Sequence, residues 1–313
     1  MTKHFRILME FDKAGAEWVV VAYDSGDKNM IEVCESGESP HTHTGHLISG
    51  APKELIIRED KICGKVTDPV ELEERRRAAI PEIFQGGYFV PRIFTIRQAG
   101  KKSNHGLNYG MQFRRFALEN EMDETESKKI VTYYSEKAYP GLPGWWEGKK
   151  RQLRDNRTLI NCFGRKRRFL EQWGPDLFME AFAYIPQSTI VDIFNIGMPK
   201  IYDDNTRSFR TLKIKNQVHD SGVFQLDVEL TRDGYARAAR CVRRIAFKYL
   251  NPLMEYGGRE FRIRTDLKIG RHWGEDMIGV DLANGNEAKI AENLEAALDK
   301  IRKEEEAQWK KAA

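Results

Sequence analysis

The sequence predicts an α+β fold in which antiparallel strands accompany a long, mostly helical stretch. The apolar run Phe5 to Phe11 and the two alternating runs between Thr211 and Leu230 predict the strands. Residues 71–79, 121–137 and 287–313 carry charged and apolar side chains at helical spacing and predict the helices. Composition agrees with a folded chain. Of 313 residues, 41% are hydrophobic and 31% charged, and the net charge is +4. That balance excludes a disordered chain, and no apolar stretch is long enough to cross a membrane as a helix. The first 11 residues lack the apolar centre of a signal peptide. The four cysteines form no CxxC pair, so a reducing, cytoplasmic setting is expected.

Taken in order, Phe5 to Phe11 reads as a strand running into Asp12. Trp18 to Tyr23 is apolar and leads to the turn Asp24-Ser25-Gly26-Asp27. Glu71 to Ala79 is a charge-rich helical patch, and Gly86-Gly87 breaks the chain after it. Residues 121–137 begin acidic, as a helix dipole favours. Residues 149–168 hold nine Lys and Arg against one acid, Asp155, so a near-neutral chain contains a strongly cationic block. A block of this density favours contact with phosphates. Around a short Ser-Gly turn, the runs LKIKNQV and VFQLDVEL predict a β-hairpin with His219 and Asp220 at its tip. In residues 287–313 the stripe Ile290, Leu294, Leu298 and Ile301 lies on one helical face.

Three constellations carry chemistry. Asp12 follows an apolar strand, and Asp220 sits in a hairpin turn. Carboxylates brought together on adjacent strands suit Mg²⁺, a hard cation held by one or two carboxylates plus substrate phosphates. Two such ions activate an attacking hydroxyl and stabilise a departing pyrophosphate. Next, Arg97, Lys101, His105 and Tyr109 are spaced four apart. Each helical step of four drifts by about 40°, so they spread over one broad face. Cations there suit a polyphosphate, and a ring one or two turns on stacks on a base or sugar. Glycines at 100, 106 and 110 predict close approach of another group. Lastly, His41, His43 and His46 lack an acidic or cysteine partner at ligand spacing, so a zinc site is not expected.

In this order the segments resemble the family A, DNA polymerase I-like, DNA polymerases. Asp12-Lys-Ala-Gly-Ala-Glu17 resembles the first catalytic motif, and the likeness continues through Ser25-Gly26-Asp27 to Pro40-His41-Thr42. Arg97, Lys101, His105, Tyr109 and Gly110 are similar to the nucleotide-binding helix of the fingers. Leu159 to Arg168 resembles the turn after the fingers, and Tyr184-Ile-Pro-Gln187-Ser-Thr a helix on the primer-template. Gln217-Val-His219-Asp220 resembles the last catalytic motif. Phe261 to Glu275 is similar to the palm terminus.

The resemblance implies a palm over residues 1–35 and 175–285, fingers over 36–174, and a charged helical tail over 286–313. It implies a DNA-directed DNA polymerase, with Asp12 and Asp220 binding two Mg²⁺ ions. It implies that Glu17 excludes ribonucleotides beside the sugar. His41, Arg97 and Lys101 would hold the incoming deoxynucleoside triphosphate, and His105 and Tyr109 would pack on the sugar and nascent pair. Gln187, His219, Arg165, Lys166 and Arg167 would contact primer-template DNA. The sequence departs from the family at three places. His105 replaces an aromatic residue, Ser221 stands where an acid commonly follows the catalytic Asp, and residues 50–90 resemble an insertion in the fingers. Only 11 residues precede Asp12, too few for the thumb that family members carry. The expectation is therefore a split, phage-type polymerase in the host cytoplasm, with thumb and exonuclease on a second polypeptide; the tail stripe either docks that partner or packs as an ordinary helix on its own palm. An alternative is a catalytically idle, polymerase-like subunit that binds DNA or scaffolds a replication complex.

Overall fold

The structure, a computed structural model, describes residues 4–274 and 276–312, with side chains as far as Ala307. Glu275, the last residue of the palm-terminus motif, lies outside the described residues. Strand β1 (His4–Lys13) buries Ile7, Met9 and Phe11 on one face. It leads to α1 (Ala16–Ser25), so the apolar run Trp18 to Tyr23 is helical. An unbroken apolar run does not by itself distinguish strand from helix. Helix α2 (Lys28–Ser36) is capped by Asp27, whose carboxylate accepts from the Met30 amide at 2.9 Å. Helix α3 (Pro40–Ser49) follows, with Ser39 as its cap and Pro40 in its first turn.

Residues 50–90 form an ordered helical module. Helices α4 (Lys53–Cys63) and α5 (Pro69–Ala79) enclose a small core with Ile56, Leu72, Ile80 and Ile83. Helix α6 (Ile96–Asn108) begins on Thr95 and contributes Ile96 to that core. Then come α7 (Phe113–Glu119), α8 (Glu124–Tyr133) and α9 (Leu142–Asn156). The strands β2 (Thr158–Ile160) and β3 (Lys166–Arg168) make a short antiparallel ribbon. Helix α10 (Pro175–Tyr202) leads to β4 (Lys213–Val218), β5 (Ser221–Glu229) and α11 (Arg232–Arg243). The chain continues through β6 (Met254–Tyr256), β7 (Arg259–Phe261), β8 (Thr265–Gly270), β9 (Ile278–Val280) and α12 (Glu287–Ala312).

The chain divides into two units. One holds residues up to 16, 189–254 and 260 onward, and the other holds 17–188 and 255–259. The first is built on an antiparallel sheet of order β4-β5-β1-β8-β9. Phe11, Phe224, Leu226, Leu267 and Ile269 fill one sheet face against Phe194 of α10, Val242 of α11 and α12. Each such side chain contributes about 1.5–3 kcal/mol by leaving water. The tail stripe belongs to this core: Ile290, Leu294, Leu298 and Ile301 are all buried. Of the two expectations for the stripe, a partner dock or a helix packed on its own chain, the second holds: the chain itself covers it. The second unit is helical apart from the β2–β3 ribbon and the short segment 255–259.

Candidate active site

The sheet unit brings Asp12 and Asp220 to one end of its central strands. Asp12 on β1 pairs with Ser221 on β5, and the Lys13 amide donates to the Asp220 carbonyl at 3.2 Å. The hairpin turn is His219-Asp220, whereas Ser221 and Gly222 already pair within β5. His219 takes φ 49°, the left-handed conformation that a two-residue hairpin loop demands. Gly222 is needed for packing: a Cβ there would lie 2.7 Å from Met198 of α10 and 3.1 Å from Phe194. Ser221 donates its hydroxyl to the Val218 carbonyl at 3.2 Å.

The register adds an acid that sequence reasoning missed. Asp266 on β8 lies directly opposite Asp12, so the two share a sheet face. Only strand pairing reveals this, because 254 positions separate them along the chain. Glu10, two residues before Asp12, lies on the same face beside Lys268, its partner at 3.7 Å. Burial, then the charge of Asp220, pushes the Asp12 carboxyl up to about 6; Lys268 opposes the shift, and Glu10 and Asp266 reinforce it. Carboxylates crowded in this way gain from a cation among them. Lys13, next in sequence, points into the core. Its ammonium donates to the Ile263 carbonyl at 2.9 Å and to the Thr265 hydroxyl at 2.7 Å, and burial lowers it to about 7. Among the described residues, no three His, Cys, Asp or Glu side chains converge as ligands.

The helical unit assembles a second group of the expected residues. Helix α6 buries Ala99, Gly100, Ser103, Asn104 and Leu107 and exposes Lys101 and His105, with Arg97 half-buried. Gly100 provides the close approach expected of it. A Cβ there would fall 2.2 Å from the His41 carbonyl and 2.7 Å from the Gly45 nitrogen, so α3 and α6 meet backbone to backbone. His41 is therefore held against the cationic face. Burial first, then Arg97, Lys101 and His105, pushes it down to about 4, which keeps the imidazole neutral near pH 7. Asn104, a residue that sequence reasoning missed, fixes its orientation. The amide donates to His41 Nδ1 at 3.2 Å and to the Pro40 carbonyl at 3.1 Å. Its oxygen accepts from Thr44 at 2.7 Å and Tyr134 at 3.0 Å. With Nδ1 accepting, the proton sits on Nε2, leaving a donor for an anion.

Glu17 lies within the same unit. Tyr109 donates its hydroxyl to the Glu17 carboxylate, and His105 Nδ1 stands 3.5 Å from it. Burial, then the charge of Glu17, holds the Tyr109 phenol well above its usual range. Arg97 pairs with Asp60 of α4 at 3.4 Å. His43 and His46 turn to Glu38 and the Ala51 carbonyl, so the three histidines take separate partners.

The remaining candidates lie on the helical unit, apart from His219, which is exposed in the hairpin turn. Gln187 is exposed on α10. Arg165 and Lys166 are exposed at the β2–β3 ribbon, whose turn is fixed by Asn161 accepting from the Phe163 and Arg165 amides at 3.0 Å. Arg167 is engaged by Glu171 and Glu180 and lies over the Phe169 ring.

Comparison with known proteins agrees with these features. The thermostable DNA polymerase I of Thermus aquaticus is 24% identical over 278 residues, 85% of this chain and 27% of that protein. DNA polymerase I of Borreliella burgdorferi is 21% identical over 276 residues, 86% of this chain and 25% of that protein. The chain thus spans about a quarter of the length of these relatives. Among solved structures, the POL domain of Pol1 from M. smegmatis, in complex with DNA primer-template and dNTP, superposes with a TM-score of 0.60. The match is 19% identical and covers 85% of this chain and 40% of that one, and it establishes the shared fold. Residues 94–275, more than half of the chain, match the model of DNA polymerase family A, and the chain belongs to that family.

Proposed function

We propose that this chain is a DNA-templated DNA polymerase that extends a primer 3′-hydroxyl with deoxynucleoside triphosphates. The observation that carries the reading is the β1–β5 register, which sets Asp12 beside the Asp220 turn. In the reaction the primer oxygen bonds to the α-phosphorus while the bond from α-phosphorus to the bridging oxygen breaks. The hydroxyl proton passes to solvent, and pyrophosphate leaves with the bonding electrons. Catalysis of such a transfer is largely positioning and charge neutralisation.

The donor set fits magnesium. Asp12 and Asp220 offer hard carboxylate oxygens, and like-charge crowding at Asp12 favours a cation. Bound there, two Mg²⁺ ions would supply charge neutralisation and a more acidic primer hydroxyl. His41, Arg97 and Lys101 offer one neutral and two cationic donors for the triphosphate. Glu17, pinned by Tyr109, guards the sugar, with His105 beside it. Gln187, His219, Arg165, Lys166 and Arg167 form the DNA contacts expected from the resemblance.

Primer extension with Mg²⁺ tests the reading. Asp12→Ala and Asp220→Ala should abolish extension; extension equal to the parent would refute it. DNA binding without incorporation, even beside a thumb-bearing companion, would favour the idle subunit, a reading that Ser221 supports by bringing no carboxylate. Glu17→Ala should raise ribonucleotide incorporation, read as the ratio of ribo- to deoxynucleotide extension rates. The companion polypeptide expected from the resemblance, with the phage-type split arrangement, is tested by mass measurement of whatever co-purifies from the native source.

A further inference from the structure

The cationic block 149–168 contains engaged and open charges. Lys149 is held by Asp24 at 2.8 Å, and Arg167 by two glutamates. Arg151 and Arg154, near the end of α9, are exposed and make no ion pair with a carboxylate among the described residues. Trp173 lies next to Arg154, which is three residues along α9 from Arg151. Its ring has the Arg154 guanidinium 5.7 Å and the Arg157 guanidinium 5.6 Å from its centroid. Phe178 braces it edge-on, with centroids 5.1 Å apart and planes at 84°. The indole is nevertheless 45% exposed, and Leu170 nearby in sequence is 83% exposed. All six residues belong to the helical unit.

An exposed indole beside exposed arginines that make no ion pair among the described residues matches a ligand with flat apolar faces strung on a chain of negative charge. An acidic peptide has the charge but not the faces. A duplex has both, but its base faces are closed within the stack. A single strand presents both together. We propose that this patch binds single-stranded nucleic acid, with Trp173 stacking on a base and Arg151 and Arg154 contacting the adjoining phosphates. The inference does not depend on catalysis; on the polymerase reading, it names unpaired template as the ligand.

The test measures binding of the full chain to a fluorescein-labelled oligo-dT of about 12 nucleotides by anisotropy, across a salt series. Trp173→Ala should weaken binding about tenfold and leave the salt slope unchanged, while Trp173→Phe should retain most of the affinity. Arg151→Ala with Arg154→Ala should lower the slope by about 1.4, at about 0.7 per lost phosphate contact on a single strand. Thermal melting identifies any variant that fails to fold, and the arginine pair and Trp173→Phe then carry the test. Binding equal to the parent in both the Trp173→Ala and the double-arginine variants would overturn the proposal. So would displacement by poly-glutamate as effective as by unlabelled oligo-dT. Asp12→Asn separates the two readings: it should lose extension and keep oligo-dT binding that depends on Trp173.

Discussion

Two regions of this molecule hold buried or half-buried charge, and they treat it in opposite ways. In the 50–90 module, Glu59 is fully buried and fully answered. Arg76 donates to it at 2.8 Å and also to the carbonyls of Pro91 at 2.7 Å and Phe94 at 2.9 Å, while Glu59 accepts from the Ile96 amide at 2.9 Å. At the acidic end of the sheet, Asp12 meets Asp220, Glu10 and Asp266, with Lys268 as the opposing charge. The first arrangement fixes the start of α6. The second leaves an electrostatic debt that a bound cation would settle. Compensated charge therefore marks architecture here, and uncompensated charge marks the candidate chemistry.

The comparison can be broken most forcefully at the sheet. Asp12→Asn should reduce single-turnover primer extension by about a thousandfold or more, the scale expected when a group that stabilises transition-state charge is removed. The same variant should leave the fold intact. Next in size is the module. Arg76→Ala should cost about 3–5 kcal/mol, because it leaves Glu59 without a counter-charge in a dry interior, and urea unfolding would read the loss. A variant that unfolds at the parent's denaturant midpoint would refute the architectural role.

A smaller effect follows from packing. Gly100→Ala should cost about 1–3 kcal/mol, since the added methyl collides with main chain that has no rotamer to change. It should also raise the Km for nucleotide by parting His41 from Arg97 and Lys101.

The smallest effect is the most diagnostic. Without metal, Asp12 titrates near 6 in the folded chain and near 3.8 unfolded. Its contribution to stability is complete below 3.8 and is lost as pH rises through 6. Asp12→Asn should therefore be more stable than the parent by about 1–2 kcal/mol at pH 7 in EDTA, allowing for solvent screening, with the gain vanishing below pH 4. Lys13 contributes with the opposite slope. Its folded value is lowered to about 7, so its stabilisation is complete only above its ordinary value of 10.5 and is lost as pH falls through 7. Melting curves of Asp12→Asn and Lys13→Met across this range separate the two slopes.

Local chemistry made some of this legible in advance. The β1 alternation, the paired runs of the hairpin and the four-residue spacing on α6 are short-range patterns, and each corresponds to the element it suggested. Gly100 was legible as a point of close approach, although its partner was not. Asp266, Asn104 and Glu59 were illegible because their roles depend on register or on contacts across tens of residues. Trp18 to Tyr23 was ambiguous because it lacks polar punctuation. The stripe on α12 was legible as an apolar face, but one sequence cannot say whether such a face meets its own chain or another.

The contact at Gly100 has a mechanical consequence. Where α3 and α6 touch main chain to main chain, no side chain lies between them to yield under load. A shift of α6 must carry α3 with it, so the histidine and the two cations travel as one jaw rather than as three fingers.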